Sequence, residues 1–360
     1  SGEIKNLTKG NSVSIPLTSS VTNTATTQDK LVGNSYTIKI EPYTSGDTKA
    51  FSCKLHADST PLADQLIDSG NLWQSNLEGD GYRYTGSGAV GTDTNPDNFI
   101  CFGTTDKATC TANKDKYMYR VLGVFSDANG DNHVKLIKYK QLGKYAWNDT
   151  NADVNWEDST LYASLNGSGF LTNTTYDYLQ NTIWSNKIEN WTWSAVNTKS
   201  HEDKTNNPYY YYSTIKGIYL NEMQKTSSET LCKTSGQTAI NCNGGAWTKP
   251  TAKIGLMYAS DYALSLGSSA LALTGSSSST LKTGWMHQSN NDTTKSATEW
   301  TLSRYGADSG DFDAWRVRSD GDVNGYYVGN TDGARPVFYL TSNQAYLGGN
   351  GSLEDPFMIQ

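Results

Sequence analysis

Charged side chains are scarce in this chain: they make up 18% of its 360 residues, whereas Tyr and Trp number 23 and 10. The net charge is -7, and the longest cluster of Lys and Arg is that at residues 135–140. The chain therefore lacks the basic surface that binds a phosphate backbone. Apolar runs of the roughly 20 residues that cross a membrane are absent as well. We therefore expect no nucleic-acid partner, no membrane span, and a β-rich extracellular protein whose Tyr and Trp serve both core and binding surface.

Cysteine is also rare, with five in the chain. Four form two close pairs, Cys101 with Cys110 and Cys232 with Cys242, each about ten residues apart among Gly, Thr, Ser and Asn. We interpret them as two local disulfides, each contributing about 2–3 kcal/mol. A zinc site is the alternative, but CxxC spacing is absent and the four histidines are isolated from these cysteines. The sequence therefore predicts no metal and no cofactor, and it leaves Cys53 as either a buried or a reactive thiol.

Short alternating segments indicate the organisation of the chain. Alternation at residues 12–17, 36–41 and 50–55 predicts three strands, in a small β-rich module or sheet extension at residues 1–58. For residues 59–360 we predict one α+β domain, in which a turn at 126–132 joins two strands into a hairpin. Apolar spacing predicts helices at 61–70, 158–166 and 175–188, and the Ser-rich residues 265–279 predict a mobile loop. Calcium binding at 127–131 is the alternative to a plain turn, but the later carboxylate of an EF-hand loop is missing.

The most informative segment is residues 315–324, WRVRSDGDVN. Its odd positions carry mostly small or apolar residues, whereas its even positions are polar or charged. Read as one strand, the segment buries the odd positions and displays the even ones. An ordinary solvated strand face remains the alternative. The displayed residues would be Arg316, Arg318, Asp320, Asp322 and Asn324.

Two features favour a binding face over a solvated one. The flanking residues add Tyr, Asp, Asn and Gly, a mixture closer to an antibody paratope than to a Lys/Glu-rich surface. Apolar segments at 299–303 and 333–340 bracket the polar residues, and a rigid support is how binding loops are held. The flanking candidates for ligand contact are Tyr305, Asp308, Asp311, Phe312, Asp313, Tyr326, Tyr327 and Asn330.

A series of motifs in order along residues 60–360 resembles a family of exported proteins of gut Firmicutes and related bacteria, often found behind a pilin-type N-terminus. The motifs include YRVLGVF at 119–125, KIGLMYASDY at 253–262, EWTLS at 299–303 and GARPVFYL at 333–340. The Gly-x-Arg-Pro element is similar to the closing element of C-type-lectin folds of the formylglycine-generating-enzyme type. Variable proteins diversified by retroelements use that fold, and their variable residues precede this element.

The resemblance implies an α+β chain with a C-type-lectin-like domain, and it implies that residues 305–330 vary and contact ligand. We therefore expect a non-catalytic protein of the bacterial cell surface that binds a protein or glycan on a host or neighbouring cell. The alternative is a structural pilus or filament subunit that contacts other pilus subunits through the N-terminal β-rich module.

Catalysis and calcium-dependent sugar binding fit the sequence less well. The family's enzymes use a cysteine pair for copper-dependent oxidation, but the paired cysteines here lie far in sequence from the Gly-x-Arg-Pro element, and a Ser/His/Asp order is absent. The tripeptides WND at 147–149 and NPD at 95–97 match those of sugar-binding C-type lectins, but they are spaced too widely. We interpret both tripeptides as coincidental.

Overall fold

The computed structural model describes residues 35–40, 51–56, 60–77, 79–86, 96–150, 155–196, 214–223, 247–290, 298–306 and 312–360. Helix accounts for 27% and strand for 31%, so the chain mixes the two. Backbone contacts divide it into two units, Ser1–Asp58 and Ser59–Gln360.

In the first unit, strands Ser35–Ile40 and Phe51–His56 pair antiparallel over their full length. The strands predicted at 36–41 and 50–55 are therefore confirmed, and Cys53 lies in the second of them. The strand predicted at 12–17 lies outside the described residues.

A six-stranded antiparallel sheet forms one part of the second unit. Its strands, in spatial order, are Val337–Tyr339, Asn132–Lys138, Met118–Ser126, Tyr82–Tyr84 and Leu72–Gln74, and Phe99–Cys101 also pairs with Met118–Ser126. The predicted hairpin is present because Asp127 accepts hydrogen bonds from the backbone N–H groups of Asn129 and Asp131 and so closes the turn.

A five-stranded sheet forms the other part. Its order is Val323–Tyr327, Phe312–Val317, Glu299–Gly306, Thr331–Ala334 and Gly143–Ala146. The pairing is antiparallel except between Glu299–Gly306 and Thr331–Ala334, where Glu299 lies opposite Gly333 in parallel. The element Gly333-Ala-Arg-Pro336 therefore carries the chain from the five-stranded sheet into the six-stranded one. Three separate two-stranded antiparallel sheets are also present in the described residues. Their strands are Trp191–Thr192 with Thr251–Ala252, Ala195–Val196 with Trp247–Thr248, and Tyr346–Gly348 with Met358–Ile359.

Short helices cover and connect these sheets. The α-helices of the described residues are Leu62–Asp68, Lys107–Ala112, Lys114–Tyr117, Thr160–Leu165, Thr182–Ser185, Ile215–Glu222, Ala259–Leu264, Ser278–Leu281 and Trp285–Asn290. The described residues also form the 3-10 helices Trp156–Asp158, Thr174–Gln180 and Gly267–Ala270.

Two sequence predictions about these helices are wrong. Residues 175–188 form two helices, because Asn181 is extended and its side chain caps the second helix by accepting a hydrogen bond from the Ile183 N–H. Residues 265–279, predicted as a mobile loop, contain the 3-10 helix Gly267–Ala270 and the start of Ser278–Leu281. Buried Ala270 and Leu281 anchor this segment in the core, which its Ser-rich composition conceals.

The disulfide between Cys101 and Cys110 is confirmed, with the two Cα atoms 6.0 Å apart. It joins the strand Phe99–Cys101 to the helix Lys107–Ala112, and both cysteines are buried. The helix begins where Asp106 accepts hydrogen bonds from two backbone N–H groups of its first turn. The predicted pair Cys232 and Cys242 lies outside the described residues.

Candidate functional site

The segment predicted to be a single strand, residues 315–324, is instead the tip of a hairpin. Strands Phe312–Val317 and Val323–Tyr327 pair antiparallel, and the Arg318 N–H donates to the Asp322 carbonyl across the turn at 2.7 Å. The turn forms because Gly321 adopts a positive φ of 91° and Asp320 accepts a hydrogen bond from the Asp322 N–H. The prediction of a continuous strand is therefore wrong, since Asp-Gly is a turn signal within the alternating pattern.

The hairpin keeps the predicted sorting of side chains only in part: Ser319, at the turn, is exposed rather than buried, and the Arg316 side chain is only 13% exposed rather than displayed. Trp315, Val317 and Val323 are buried. Arg316 lies directly opposite Asn324 in the ladder, so these two side chains share the other face. We call residues 312–327 the binding hairpin, after the sequence prediction that they contact ligand.

Arg316 organises the polar face of the binding hairpin. Its guanidinium carbon lies 3.3 Å from the centroid of the Tyr326 ring, its Nη1 donates to Asp332 Oδ2 at 3.1 Å, and its Nε donates to Asn324 Oδ1 at 3.3 Å. Tyr326 in turn packs at 6.1 Å, ring to ring, on buried Trp300. Only 13% of the Arg316 side chain is exposed. Contacts within the chain therefore hold this cluster in one arrangement.

The remaining predicted side chains lie around this cluster. At the turn, Arg318 and Asp320 are 41% and 49% exposed, and Arg318 interacts with Asp320 at 3.5 Å and with Asp322 at 3.4 Å. Asp313 and Tyr327 lie opposite each other and are partly buried. Asn330 is exposed in the turn that follows. Tyr305 and Phe312 lie on paired strands, whereas Asp308 and Asp311 lie outside the described residues.

The residues that support the hairpin from its neighbouring strands were not predicted. Asp332, the partner of Arg316, lies on the strand Thr331–Ala334. Arg335 is fully buried and donates to both carboxylate oxygens of Glu299, from Nε at 2.7 Å and from Nη2 at 2.9 Å. Burial raises the pKa of Glu299, and the Arg335 guanidinium opposes that rise. The only sequence signal was one ionic residue in each of the apolar motifs EWTLS and GARPVFYL.

A second buried carboxylate, Glu222, supports the strand next to the hairpin. It ends the helix Ile215–Glu222 and accepts hydrogen bonds from the backbone N–H groups of Ala259 and Ser260, at 2.9 and 3.1 Å, and from Ser303 Oγ at 3.4 Å. Burial and the nearby Asp261 carboxylate raise the pKa of Glu222 from 4.5 to about 7, although hydrogen bonds from Ala259 and Ser260 favour the charged form. Part of its population is therefore protonated near neutral pH.

Because its pKa is raised, Glu222 contributes stability that decreases as the pH rises. The folded state binds the Glu222 proton more tightly than the unfolded state, so this stabilisation is full below about pH 4.5 and is lost as the pH rises to about 7. Relative to Glu222→Gln, we expect the wild-type free energy of unfolding to fall by about 3 kcal/mol across this range, at about 1.4 kcal/mol per pH unit. Urea denaturation of both proteins from pH 4 to 8 measures this difference. The control Glu354→Gln changes a carboxylate whose side chain is 85% exposed, and it should follow the wild type at every pH. Parallel curves for wild type and Glu222→Gln would contradict the prediction.

Comparisons with family models, with curated proteins and with solved structures found no match. Within the described part of the chain, no group of three or more His, Cys, Asp and Glu side chains is arranged to hold a metal ion. The helices described here are also too short or too polar for any of them to cross a bilayer.

Proposed function

We propose that this chain is a non-catalytic ligand-binding protein of the bacterial cell surface, with a C-type-lectin-like domain that binds protein or glycan through the binding hairpin. The observation that carries the proposal is the preorganised cluster of Arg316, Tyr326 and Asp332 beside the more exposed Arg318 and Asp320. Arg and Tyr dominate the energetics of protein interfaces, and side chains fixed before binding lose little conformational entropy when the ligand arrives.

The surroundings of the Gly-x-Arg-Pro element support the C-type-lectin-like fold. This element joins the two sheets, and its buried Arg335 is paired with Glu299 on the strand adjacent to the binding hairpin. In the resemblance the variable residues precede the Gly-x-Arg-Pro element. Here the same element follows the binding hairpin and stabilises the strand beside it, which agrees with that arrangement. Variation within residues 305–330 is part of the proposal.

The binding hairpin also divides into a supported centre and an exposed tip. Arg316 and Tyr326 contact Asp332 and Trp300, so their removal would disturb the fold as well as any interface. Arg318, at the tip, is 41% exposed. Tyr327 follows Tyr326 on the same strand, so its side chain lies on the face of buried Val323, opposite that of Arg316. Arg318 is therefore the better position for testing binding separately from stability.

We expect Arg318→Ala to weaken ligand binding by roughly fivefold or more, because an Arg anchor contributes about 1–2 kcal/mol. The probes are a printed array of mammalian glycans and an array of purified cell-surface ectodomains, with titration of each hit. The matched control is Lys107→Ala, which removes an exposed cation outside the hairpin. Array hits that persist at full strength in the hairpin variant would contradict the proposed site, and the absence of hits on both arrays would contradict the binding function.

A filament subunit is the competing proposal, and the first unit supplies its one supporting observation. Its described strands form a two-stranded sheet, and a strand that pairs on one side only offers its other edge to a strand of another chain. Electron microscopy of the full chain at high concentration tests this. Ordered filaments, together with array binding that the hairpin variant leaves unchanged, would favour the structural role.

A further inference from the structure

A cleft of about 470 Å³ lies away from the binding hairpin, at the turn end of the six-stranded sheet. It is lined on one side by the turn that follows Met118–Ser126 and on the other by the segment around Trp191–Thr192. The side chains that matter for its chemistry are Asp127, Asp131, His133, Glu189 and Trp191. None of them has a role in the function proposed above.

The charge of the cleft is negative. Three carboxylates line it, and no Lys or Arg is among the described residues of its lining. Burial raises the pKa of Asp127, but the hydrogen bonds from Asn129 and Asp131 and the interaction with His133 together hold that pKa below its ordinary value. Glu189 also interacts with Lys253, but the Lys253 ammonium donates to the Ser185 carbonyl. The cleft therefore favours a positively charged occupant.

Trp191 gives the cleft a rigid aromatic wall. One face of its indole stacks on the Tyr339 ring, with 3.7 Å between ring centroids and 14° between planes. His133 packs against the same indole at 5.2 Å in an edge-to-face arrangement. Indole is the side chain that attracts cations most strongly through its π system. A fixed indole beside carboxylates therefore suits an organic cation better than a neutral molecule.

His133 provides an observation independent of the acidic residues. Its Nδ1 lies 2.8 Å from the Leu340 carbonyl, which only accepts, so Nδ1 carries a proton. In the neutral ring Nε2 is then an acceptor. Nε2 is buried and has no hydrogen-bond partner among the described residues, and the other acceptor facing it, Asp127 Oδ2, lies 3.7 Å away. In this neutral form two acceptors face each other at 3.7 Å, and a buried acceptor without a donor costs free energy.

We propose that this cleft binds a small organic cation, an ammonium or guanidinium group, whose N–H donors bond to His133 Nε2 and the Asp127 carboxylate while its charge rests against Trp191. Such a group satisfies both acceptors, neutralises the carboxylates and gains the cation–π contact in one position. A neutral polyol supplies donors but leaves the carboxylates uncompensated. The source of the cation is either a free amine or the side chain of a Lys or Arg.

The test titrates the full chain with butylammonium and methylguanidinium at constant ionic strength, and with the neutral analogues 1-butanol and methylurea. Two-dimensional NMR of backbone and indole N–H groups, with the Trp191 signal assigned from Trp191→Phe, reports the site. We expect saturable shifts centred on Trp191 and Asp131 for the cations and none for the neutral analogues. N-acetyl-lysine methylamide and N-acetyl-arginine methylamide then distinguish a peptide source from a free amine.

Asp127→Asn and Glu189→Gln should each weaken cation binding about tenfold or more. Asn at position 127 keeps the oxygen that accepts the turn N–H groups, so the turn survives the change. Asp149→Asn, an exposed carboxylate outside the cleft, should leave binding unchanged. Arg318→Ala should also have no effect, which separates this proposal from the binding hairpin. Equal shifts with the neutral analogues, undiminished binding to Asp127→Asn, or no saturable shift at all would overturn the proposal.

Discussion

Replacing Arg335 by Met is expected to lower the free energy of unfolding by about 3–5 kcal/mol, which is the typical cost of leaving one partner of a buried ion pair unpaired. Arg335 and Glu299 are each about 1% exposed, and the guanidinium makes two hydrogen bonds to the carboxylate. Met fills the volume of the Arg stem but leaves the Glu299 carboxylate in an apolar surrounding. The strand next to the binding hairpin then carries an unpaired buried charge.

Urea denaturation at pH 7 measures this cost. Arg318→Met makes the same chemical change at a side chain that is 41% exposed, and we expect it to cost less than about 1 kcal/mol. Adding Glu299→Gln to Arg335→Met should recover part of the loss, because the uncompensated charge is then gone. If Arg335→Met unfolds at the same urea concentration as Arg318→Met, the ion pair does not hold the sheets as described.

Asp261→Asn is expected to lower the free energy of unfolding by a similar amount, about 3–5 kcal/mol, because Asp261 forms ion pairs with two buried cations. Its carboxylate accepts from Arg83 Nη1 at 2.8 Å, from Lys135 Nζ at 2.5 Å and from the Tyr258 N–H at 2.9 Å. Lys135 is about 1% exposed, and burial lowers its pKa while Asp261 raises it. Without the Asp261 charge, burial of the Lys135 ammonium is no longer offset by an ion pair, so the folded state is destabilised.

Equilibrium unfolding of Asp261→Asn beside Asp320→Asn measures this effect. The control removes the charge of a half-exposed carboxylate in the hairpin turn and should cost less than about 1 kcal/mol. Lys135→Met on the Asp261→Asn background should restore part of the stability, since one buried cation is removed, whereas Arg83 keeps Asp80 at 2.8 Å. A double variant no more stable than Asp261→Asn would show that the carboxylate acts mainly through the Tyr258 N–H.

Local patterns predicted the elements that depend on neighbouring residues. The hairpin around residues 126–132 and the disulfide from Cys101 to Cys110 both formed where sequence placed them, because turn residues and a short loop determine them. The sorting of Trp315 and Val317 into the core was also readable from alternation. The turn within that segment was missed, since the alternation runs on through Asp320 and Gly321 and conceals the turn signal.

Long-range charge pairs were beyond prediction from one sequence. Lys135 and Asp261 are 126 residues apart, and Glu299 and Arg335 are 36 apart, yet each pair is buried. Charged residues are ordinarily exposed, and an ionic residue within an apolar motif does not show which distant residue it will pair with. The same limit applies to the acidic cleft, where His133 packs against Trp191 and the indole stacks on Tyr339, three residues from distant parts of the sequence.

The order of strands in the two sheets also fixes when the second unit can fold. Strand Gly143–Ala146 pairs with Thr331–Ala334, and one edge of Asn132–Lys138 pairs with Val337–Tyr339. Neither pairing can form until residues 331–339 have been synthesised, so the same late stretch of chain completes both sheets. Pairings between residues so distant in sequence form slowly, because the entropy cost of closing a long loop comes before the stabilising contacts form. During synthesis the hairpin of Met118–Ser126 and Asn132–Lys138 therefore exists with an open edge until residue 339 has emerged. Over that interval another chain can add to the edge, which makes the nascent chain more prone to aggregation than the finished one.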